Sequence, residues 1–313
     1  MAWIINQGQT RNLIDMPVAL KVVEQIFRDR AAGKVRSLPR RRLKGSAKQL
    51  NMMAAWQSDS DLLCLRAYAG GANTITLYNG RRGEIRAVLS GAYLSSLRTG
   101  AASGVAAKFL APSGSRVMGL VGPGWQATFQ LEAIIKACRI KKILVFGRNE
   151  KRRKAFLKKM RGVTPAELLE VSSIREIERD SDIIVLATDS NDPLMNGKGV
   201  KDECLVITMG ANQPTKHEVS LDLIRRMDLV VTDDLPTAQL DSGDLISACK
   251  AGVLKWKDVV PLERMVARRG PKKLPGRILF QSNGIADEDL AVGRYVLNRA
   301  MHQKLRLKKI PEI

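Results

Sequence analysis

Aromatic side chains make up only 4% of the 313 residues, and histidine occurs twice, at His217 and His302. So few rings leave little material for stacking single-stranded nucleic acid, and two histidines do not furnish a histidine-rich metal centre. Cysteine is also sparse: Cys64, Cys138, Cys204 and Cys249 are far apart and form no CxxC pair, unlike a disulfide scaffold or zinc knuckle. No apolar run approaches the roughly 20 residues that span a bilayer, and the first residues lack a basic stretch leading into an apolar signal segment. The expectation is a cytoplasmic protein without a membrane partner. Acidic residues are outnumbered, 31 against 52 Lys and Arg, for a net charge of +21. The basic residues gather in patches at Arg40-Arg41-Arg42, Lys151 to Lys159, Lys272-Lys273 and Lys304 to Lys309. Without a recognition-helix or zinc-finger spacing, this reads as a solvated surface that attracts small anions more than as a nucleic-acid site.

Two patterns divide the chain. Residues 17–31 place Val18, Val22 and Ile26 at helical spacing behind a first-turn proline. Short β-rich runs follow near 49–55, 62–68, 74–78 and 85–89, with Asn79-Gly80 and Arg82-Gly83 as turns, which predicts an antiparallel sheet. A long helix rich in small residues is predicted over 91–110, closed by Ala111-Pro112-Ser113-Gly114. Beyond it, runs at 117–121, 142–146, 182–187, 204–209 and 228–232 alternate with helical segments at 126–137, 150–160 and 221–227. That order predicts an α/β fold: a doubly wound, mostly parallel Rossmann-type sheet, with a second α+β domain before it. The domains are expected at 1–112, completed by a closing helix and tail over about 286–313, and at 113–285.

The densest signal is the step from Val117-Met118-Gly119-Leu120-Val121 into Gly122-Pro123-Gly124-Trp125-Gln126-Ala127. Gly122 permits a tight turn, Gly124 lets a pyrophosphate approach, and Ala127 keeps the following helix close to the strand. Backbone amides at a helix start, here near Trp125 and Gln126, complement phosphate oxygens. After the next strand stand Gly147-Arg148-Asn149 and then Arg152, where NAD-selecting folds often carry a carboxylate for the ribose hydroxyls. Cations there accommodate a 2′-phosphate, so NADP(H) is favoured as cofactor, with NAD(H) the alternative. Thr188, behind the strand near 182–187, is a candidate wall or hydrogen-bond contact for the cofactor.

Four segments together resemble the ornithine cyclodeaminase and mu-crystallin family: Gly91 to Ala102, Gly122 to Ala127, Gly210-Ala211-Asn212-Gln213-Pro214 and Gln281-Ser282-Asn283-Gly284. The resemblance covers nearly the whole chain in the same order. It implies a homodimer built through the first domain and the closing helix, with hydride transfer at an α-carbon bearing nitrogen. Arg98, in Leu97-Arg98-Thr99, resembles the family's substrate-carboxylate arginine, and a guanidinium suits that task through two parallel hydrogen bonds. Arg41 is a second anion candidate, Met53 resembles a pocket strand residue, and Ser282 and Gly284 resemble the loop beside nicotinamide.

Two positions depart from the pattern. Arg66 stands where many members carry lysine, and Asn212 where cyclodeaminases carry aspartate. Arginine stabilises charge but is a poor proton donor, and asparagine orients water or an amine without acting as a carboxylate base. Arg66, Arg98 and Asn212 are therefore the catalytic candidates for an NAD(P)H-dependent amino-acid dehydrogenase or imino-acid reductase that needs no metal. Ornithine cyclodeamination to proline and ammonia, and a non-enzymatic NADPH-binding protein of the mu-crystallin type, are the alternatives. Asp233 and Asp234 are further carboxylates at the sheet edge that either act there or cap the next segment.

Overall fold

The structure, a computed structural model, describes residues 2–268, 274 and 276–310. The basic pair Lys272-Lys273 lies outside them. The chain starts with β1 (Ala2–Ile5), α1 (Gln7–Leu13) and α2 (Met16–Ala31), continues through β2 (Val35–Lys44), β3 (Gln49–Gln57), β4 (Leu62–Ala69), β5 (Ala72–Asn79) and β6 (Ile85–Ser90), and enters α3 (Gly91–Leu110). Alternating elements follow: β7 (Val117–Val121), α4 (Trp125–Ala137), β8 (Lys142–Phe146), α5 (Glu150–Met160), β9 (Glu167–Glu170), α6 (Ile174–Asp180) and β10 (Ile183–Leu186). Next come β11 (Cys204–Thr208), α7 (Leu221–Arg225), β12 (Leu229–Thr232), α8 (Leu235–Asp241), α9 (Gly243–Lys250), β13 (Val259–Pro261) and α10 (Leu262–Ala267). The last elements are β14 (Arg277–Gln281), α11 (Ala286–His302) and β15 (Lys308–Ile310).

Contacts divide the chain into one unit of Met1–Thr99 with Gly284–Ile313 and another of Gly100–Asn283. The divisions fall inside α3 and just before α11, where the sequence reading cuts at 112/113 and 285/286.

The first unit is a mixed sheet in the order β15-β1-β6-β5-β4-β3-β2. Strands β2 to β6 form an antiparallel meander, as the turn residues predict. Asn79 makes one of those turns by accepting the backbone N–H groups of Arg81 and Arg82 through Oδ1. Alternation is clean along β3, which buries Asn51, Met53, Ala55 and Gln57 and turns the residues between them away. Helices α2 and α11 pack on one another, and α11 also packs on β2 to β5. Asp15 caps α2 by accepting from the Val18 N–H at 3.0 Å, with proline in its first turn.

The second unit is an all-parallel sheet in the order β13-β12-β14-β11-β10-β7-β8-β9. Its central strands are apolar on both faces, and Ile183 to Leu186 are wholly buried. From β7 the chain winds outward through β8 and β9, then returns to β10 on the other side of β7. The strand order therefore reverses between β7 and β10, and open α/β sheets bind ligands beyond the carboxyl ends of the strands at such a reversal. Helix α4 also comes close to the second part of α3: a Cβ on Gly100 would stand 2.5 Å from the Phe129 carbonyl oxygen.

Candidate active site

The sheet-edge half begins where β7 ends. Gly122 adopts φ +90°, and a Cβ there would lie 2.7 Å from the Ala187 carbonyl oxygen and 2.8 Å from Thr188 Cγ2. Only glycine meets both demands, the left-handed backbone and the close approach to the β10 exit. Its N–H donates to the Phe146 carbonyl at 3.0 Å, which ties the turn to the end of β8. Pro123 fits because its neighbour is Gly147, where a Cβ would stand 2.5 Å from the proline ring.

Gly124 is the N-cap of α4 and no side chain caps that helix; nothing lies within 4 Å of a Cβ built on it. An open, uncapped helix start over a tight turn has the donors and the room for a pyrophosphate. Ala127 is fully buried under it, while Trp125 is 56% exposed, edge-on to Phe129 and 5.7 Å below the Lys159 ammonium.

Beyond β8, Arg148 and Asn149 are exposed, and Asn149 caps α5 by accepting from the Arg152 N–H at 2.9 Å. Arg152 is exposed; Arg153 bonds the Gly147 carbonyl and pairs with Glu170, at the end of β9. A carboxylate thus stands in this corner and offsets one of the cations that the sequence offers to a 2′-phosphate.

Further along the sheet edge, Thr188 donates its N–H and hydroxyl to buried Glu218. Asn212 is half-buried, with its amide donating to the Met209 carbonyl at 3.3 Å. Ser282 is buried, and its N–H donates to the Thr208 carbonyl at 2.9 Å. The two aspartates have structural tasks here. Asp234 caps α8, accepting from the Thr237 N–H at 2.8 Å and hydroxyl at 2.6 Å. Asp233, wholly buried, accepts from the Asn283 N–H at 2.6 Å and the Asp234 N–H at 2.9 Å, and so joins the ends of β12 and β14.

A second cluster is built in the first unit. Across β3 and β4, Met53 pairs with Arg66, and both are buried. Strand β2 slips register between Leu38 and Arg41, which pair with Ala54 and Met52, so Pro39 and Arg40 stand together opposite Met53. This bulge turns Arg40 inward, 6% exposed, and leaves Arg41 exposed. Arg40, rather than the Arg41 singled out in the sequence, joins Met53 and Arg66 in the buried row. The Arg40 guanidinium donates to the Gly284 carbonyl at 3.0 Å.

Arg98 reaches the same glycine from α3: Gly284 has φ +74°, and a Cβ on it would collide with Arg98 Nη1 and lie 3.0 Å from Nη2. Arg66 is packed comparably against Gly91, where a Cβ would be 2.5 Å from its Nη1; it also bonds Asn73 and stacks 4.9 Å over the Tyr68 ring.

Buried guanidinium groups need counter-charges, and the first turn of α11 supplies them. Arg98 donates through Nη1 to Glu288 at 2.7 Å and through Nε to Asp289 at 3.3 Å, while Arg66 Nε lies 3.4 Å from the same Asp289 oxygen. Asp287 serves Arg30 at 2.5 Å. Burial pulls the Arg98 pKa down, but the Asp289 and Glu288 carboxylates outweigh it and push it up; at Arg66 burial prevails and lowers it. The sequence reading missed Glu288, Asp289, Arg40 and Glu218. The run Asp287-Glu288-Asp289 at a helix start was visible, but it reads as acids complementing a helix dipole, and its partners lie 190 residues away.

The sequence model of the ornithine cyclodeaminase/mu-crystallin family matches residues 4–304. The chain belongs to that family. Alanine dehydrogenase of Archaeoglobus fulgidus is 30% identical, with 97% of each chain covered. Among solved structures, Δ1-pyrroline-2-carboxylate reductase of Thermococcus litoralis, in complex with NADH and L-proline, superposes with TM-score 0.92 at 26% identity, covering 98% of this chain and 100% of that one. An archaeal alanine dehydrogenase dimer with bound NAD gives 0.91 at 28%, covering 100% and 99%. The family member is an NAD(P)-dependent oxidoreductase acting on CH–NH2 or C=N centres. Both of these structures hold the cofactor without a 2′-phosphate, which overturns the sequence preference for NADP(H). The physical reason lies at the end of β8, where basic residues are plentiful but Arg153 is already matched by Glu170. Among the described residues no helix is long and apolar enough to cross a membrane.

Proposed function

We propose that the protein reduces imino acids to amino acids with NADH, or runs the reverse oxidation with NAD, on substrates carrying one carboxylate beside the reacting carbon. The observation that carries this reading is the buried guanidinium row: Arg66 and Arg98 meet Glu288 and Asp289, and Arg40 joins Arg98 at Gly284. Such a row matches the carboxylate that an α-imino acid carries beside its reacting carbon. Arg98 and Arg40, both at Gly284, offer planar donor forks to that carboxylate, and Met53 supplies an apolar wall beside Arg66. Glu288 and Asp289, with no exposed surface, act on the substrate only by fixing the guanidinium planes.

The open α4 start fits the pyrophosphate of NAD(H): Gly122, Gly124, Trp125, Gln126 and Ala127 would hold it, with Arg148, Asn149 and Arg152 toward the adenosine and Thr188, Ser282 and Gly284 toward the nicotinamide. When bound, NAD(H) supplies or accepts the hydride. The chain's own part is orientation and charge placement: the arginines fix the carboxylate and so the reacting carbon, and Asn212 positions the nitrogen or a water that carries its proton. Asparagine at 212 counts against ornithine cyclodeamination, which would release proline and ammonia without net change in cofactor.

We further read the protein as a cytoplasmic homodimer, following the dimeric archaeal alanine dehydrogenase it resembles. Light scattering and cell fractionation test those two points. For the activity, reduced-nicotinamide absorbance should fall with Δ1-pyrroline-2-carboxylate or with pyruvate plus ammonia. Absence of NADH consumption and of NAD reduction across imino and amino acids would sink the reading.

A further inference from the structure

Glu218 lies in the segment between β11 and α7 and is wholly buried, yet its carboxylate serves two other loops. Oε1 accepts from the Thr188 N–H at 2.8 Å and its hydroxyl at 2.7 Å. Oε2 accepts from the Met209 N–H at 2.9 Å and the Gly210 N–H at 2.6 Å. Thr188 follows β10 and Met209-Gly210 follows β11, so one side chain joins the carboxyl ends of two neighbouring parallel strands. The loops are pressed together around it: a Cβ on Gly210 would collide with the Thr188 carbonyl and lie 2.7 Å from Glu218 Oε1. Glu218 is itself anchored, its N–H donating to Asp244 Oδ1 at 3.1 Å and its carbonyl accepting from the Leu194 N–H at 2.9 Å. Four donors converging on one side chain call for two acceptor oxygens, which a carboxyl group supplies and an amide does not.

We propose that Glu218 is a positioning residue for hydride transfer: it clips the β10 and β11 loops in the one arrangement that presents Thr188 and Asn212 to the nicotinamide end of the site. This rests on the dehydrogenase reading above and adds a residue that touches neither substrate nor cofactor. The same sheet supplies a control at its opposite edge. There Asp182, before β10, accepts from the Arg116 and Val117 N–H groups at 2.8 and 2.9 Å and pairs with Lys201 at 2.7 Å.

The test compares E218Q with D182N in the full-length protein, reading melting temperature, NADH affinity by fluorescence titration and imine-reduction kinetics. Glutamine turns donors toward two of the four donors, so E218Q should weaken NADH by about tenfold and lower kcat by a similar factor, with little change in KM for the imino acid. D182N should lower the melting temperature while leaving NADH affinity and kcat within about twofold. Wild-type NADH affinity in E218Q, or NADH weakening in both variants in proportion to their melting temperatures, would overturn the proposal. If E218Q does not fold, E218D keeps the charge and withdraws the carboxylate by one methylene; it too should lose NADH affinity, and unchanged binding overturns the assignment. A wild-type protein that binds NADH but turns over no imino acid defeats the dehydrogenase reading while the affinity comparison still judges Glu218.

Discussion

In the proposed function the first unit would answer a substrate's negative charge with buried guanidinium groups and the second a cofactor's with backbone amides at the β7–α4 turn, and each design has its own weakness. Buried ions depend on their counter-ions, so a change at Arg98 is felt at Glu288 and Asp289. The turn contains no ion. Its requirements are steric, at Gly122 against Ala187 and Thr188 and at Gly147 against Pro123. Changes of charge should therefore injure one half, and changes of volume the other.

Replacing Arg98 with alanine is expected to have the largest effect, because it takes a guanidinium from two buried carboxylates, leaving Asp289 to Arg66, as well as removing the proposed substrate contact. The cost is about 3–5 kcal/mol of stability, read by urea unfolding. In the milder R98K, kcat/KM for carboxylate substrates should fall about 100-fold, with NADH binding retained. R98A that matches the wild type in stability and KM would remove the cluster from the mechanism.

Gly284→Ala probes volume among the charged groups, at a position packed against Arg98 as Gly91 is against Arg66. The added Cβ collides with Arg98 Nη1 at a left-handed backbone position. A displaced guanidinium should cost about 100-fold in kcat/KM. Gly122→Ala is its counterpart in the turn, with strain of about 1–3 kcal/mol and weakened NADH binding by fluorescence, but an unchanged KM for the imino acid at saturating NADH. If G122A instead raised that KM, the division of labour between the halves would fail.

Titration gives a smaller effect with a definite sign. Burial, aided by nearby Asp244, pushes Glu218 up to about 7 against the hydrogen bonds from Thr188 and Gly210. A folded value above the ordinary 4.5 means that the folded state holds this proton more tightly. The stabilisation is full below the unfolded value and is lost as pH rises through about 7. Asp244 and His217, whose pKa values are also raised, face the same network and titrate in both proteins compared. Melting temperature should thus decline more steeply between pH 4.5 and 7 in the wild type than in E218Q. Parallel profiles would show that Glu218 does not titrate there.

The two halves also differ in how far they can be read from sequence. The second sheet's buried strands are continuous apolar runs, so β7, β8, β10, β11 and β12 and the glycine turn are visible locally. Its remaining strands are not: β9 is Glu-Leu-Leu-Glu, β13 has three residues, and β14 begins with an arginine. Residues Gly91 to Leu110 read as a helix to the residue, since small side chains run between clear stops. The charged half is non-local. Nothing near Arg98 or Arg66 in sequence announces the acids of α11, and the NADP(H) preference failed for a related reason: it read Arg148 and Arg152 without the Glu170 that β9 brings to Arg153 beside them.

The finest comparison lies within one strand. Regular alternation along β2 cannot say which of three consecutive arginines faces inward, because Pro39 sits in a bulge that resets the phase after Leu38. The bulge sets Arg40 against Gly284 and leaves Arg41 in solvent. Arg40→Ala should raise KM for the imino acid about tenfold, the worth of one charge-assisted hydrogen bond. Arg41→Ala should change stability by less than about 0.5 kcal/mol and leave KM as it is. Deleting Pro39 tests the cause: Leu38 still pairs with Ala54 and Arg41 with Met52, so Arg40 stands alone opposite Met53 and the two alanine substitutions should keep their effects in the shortened strand. If Arg41→Ala already raises KM in the unaltered strand, the bulge does not select the arginine, and Arg40 loses its place in the proposed carboxylate site.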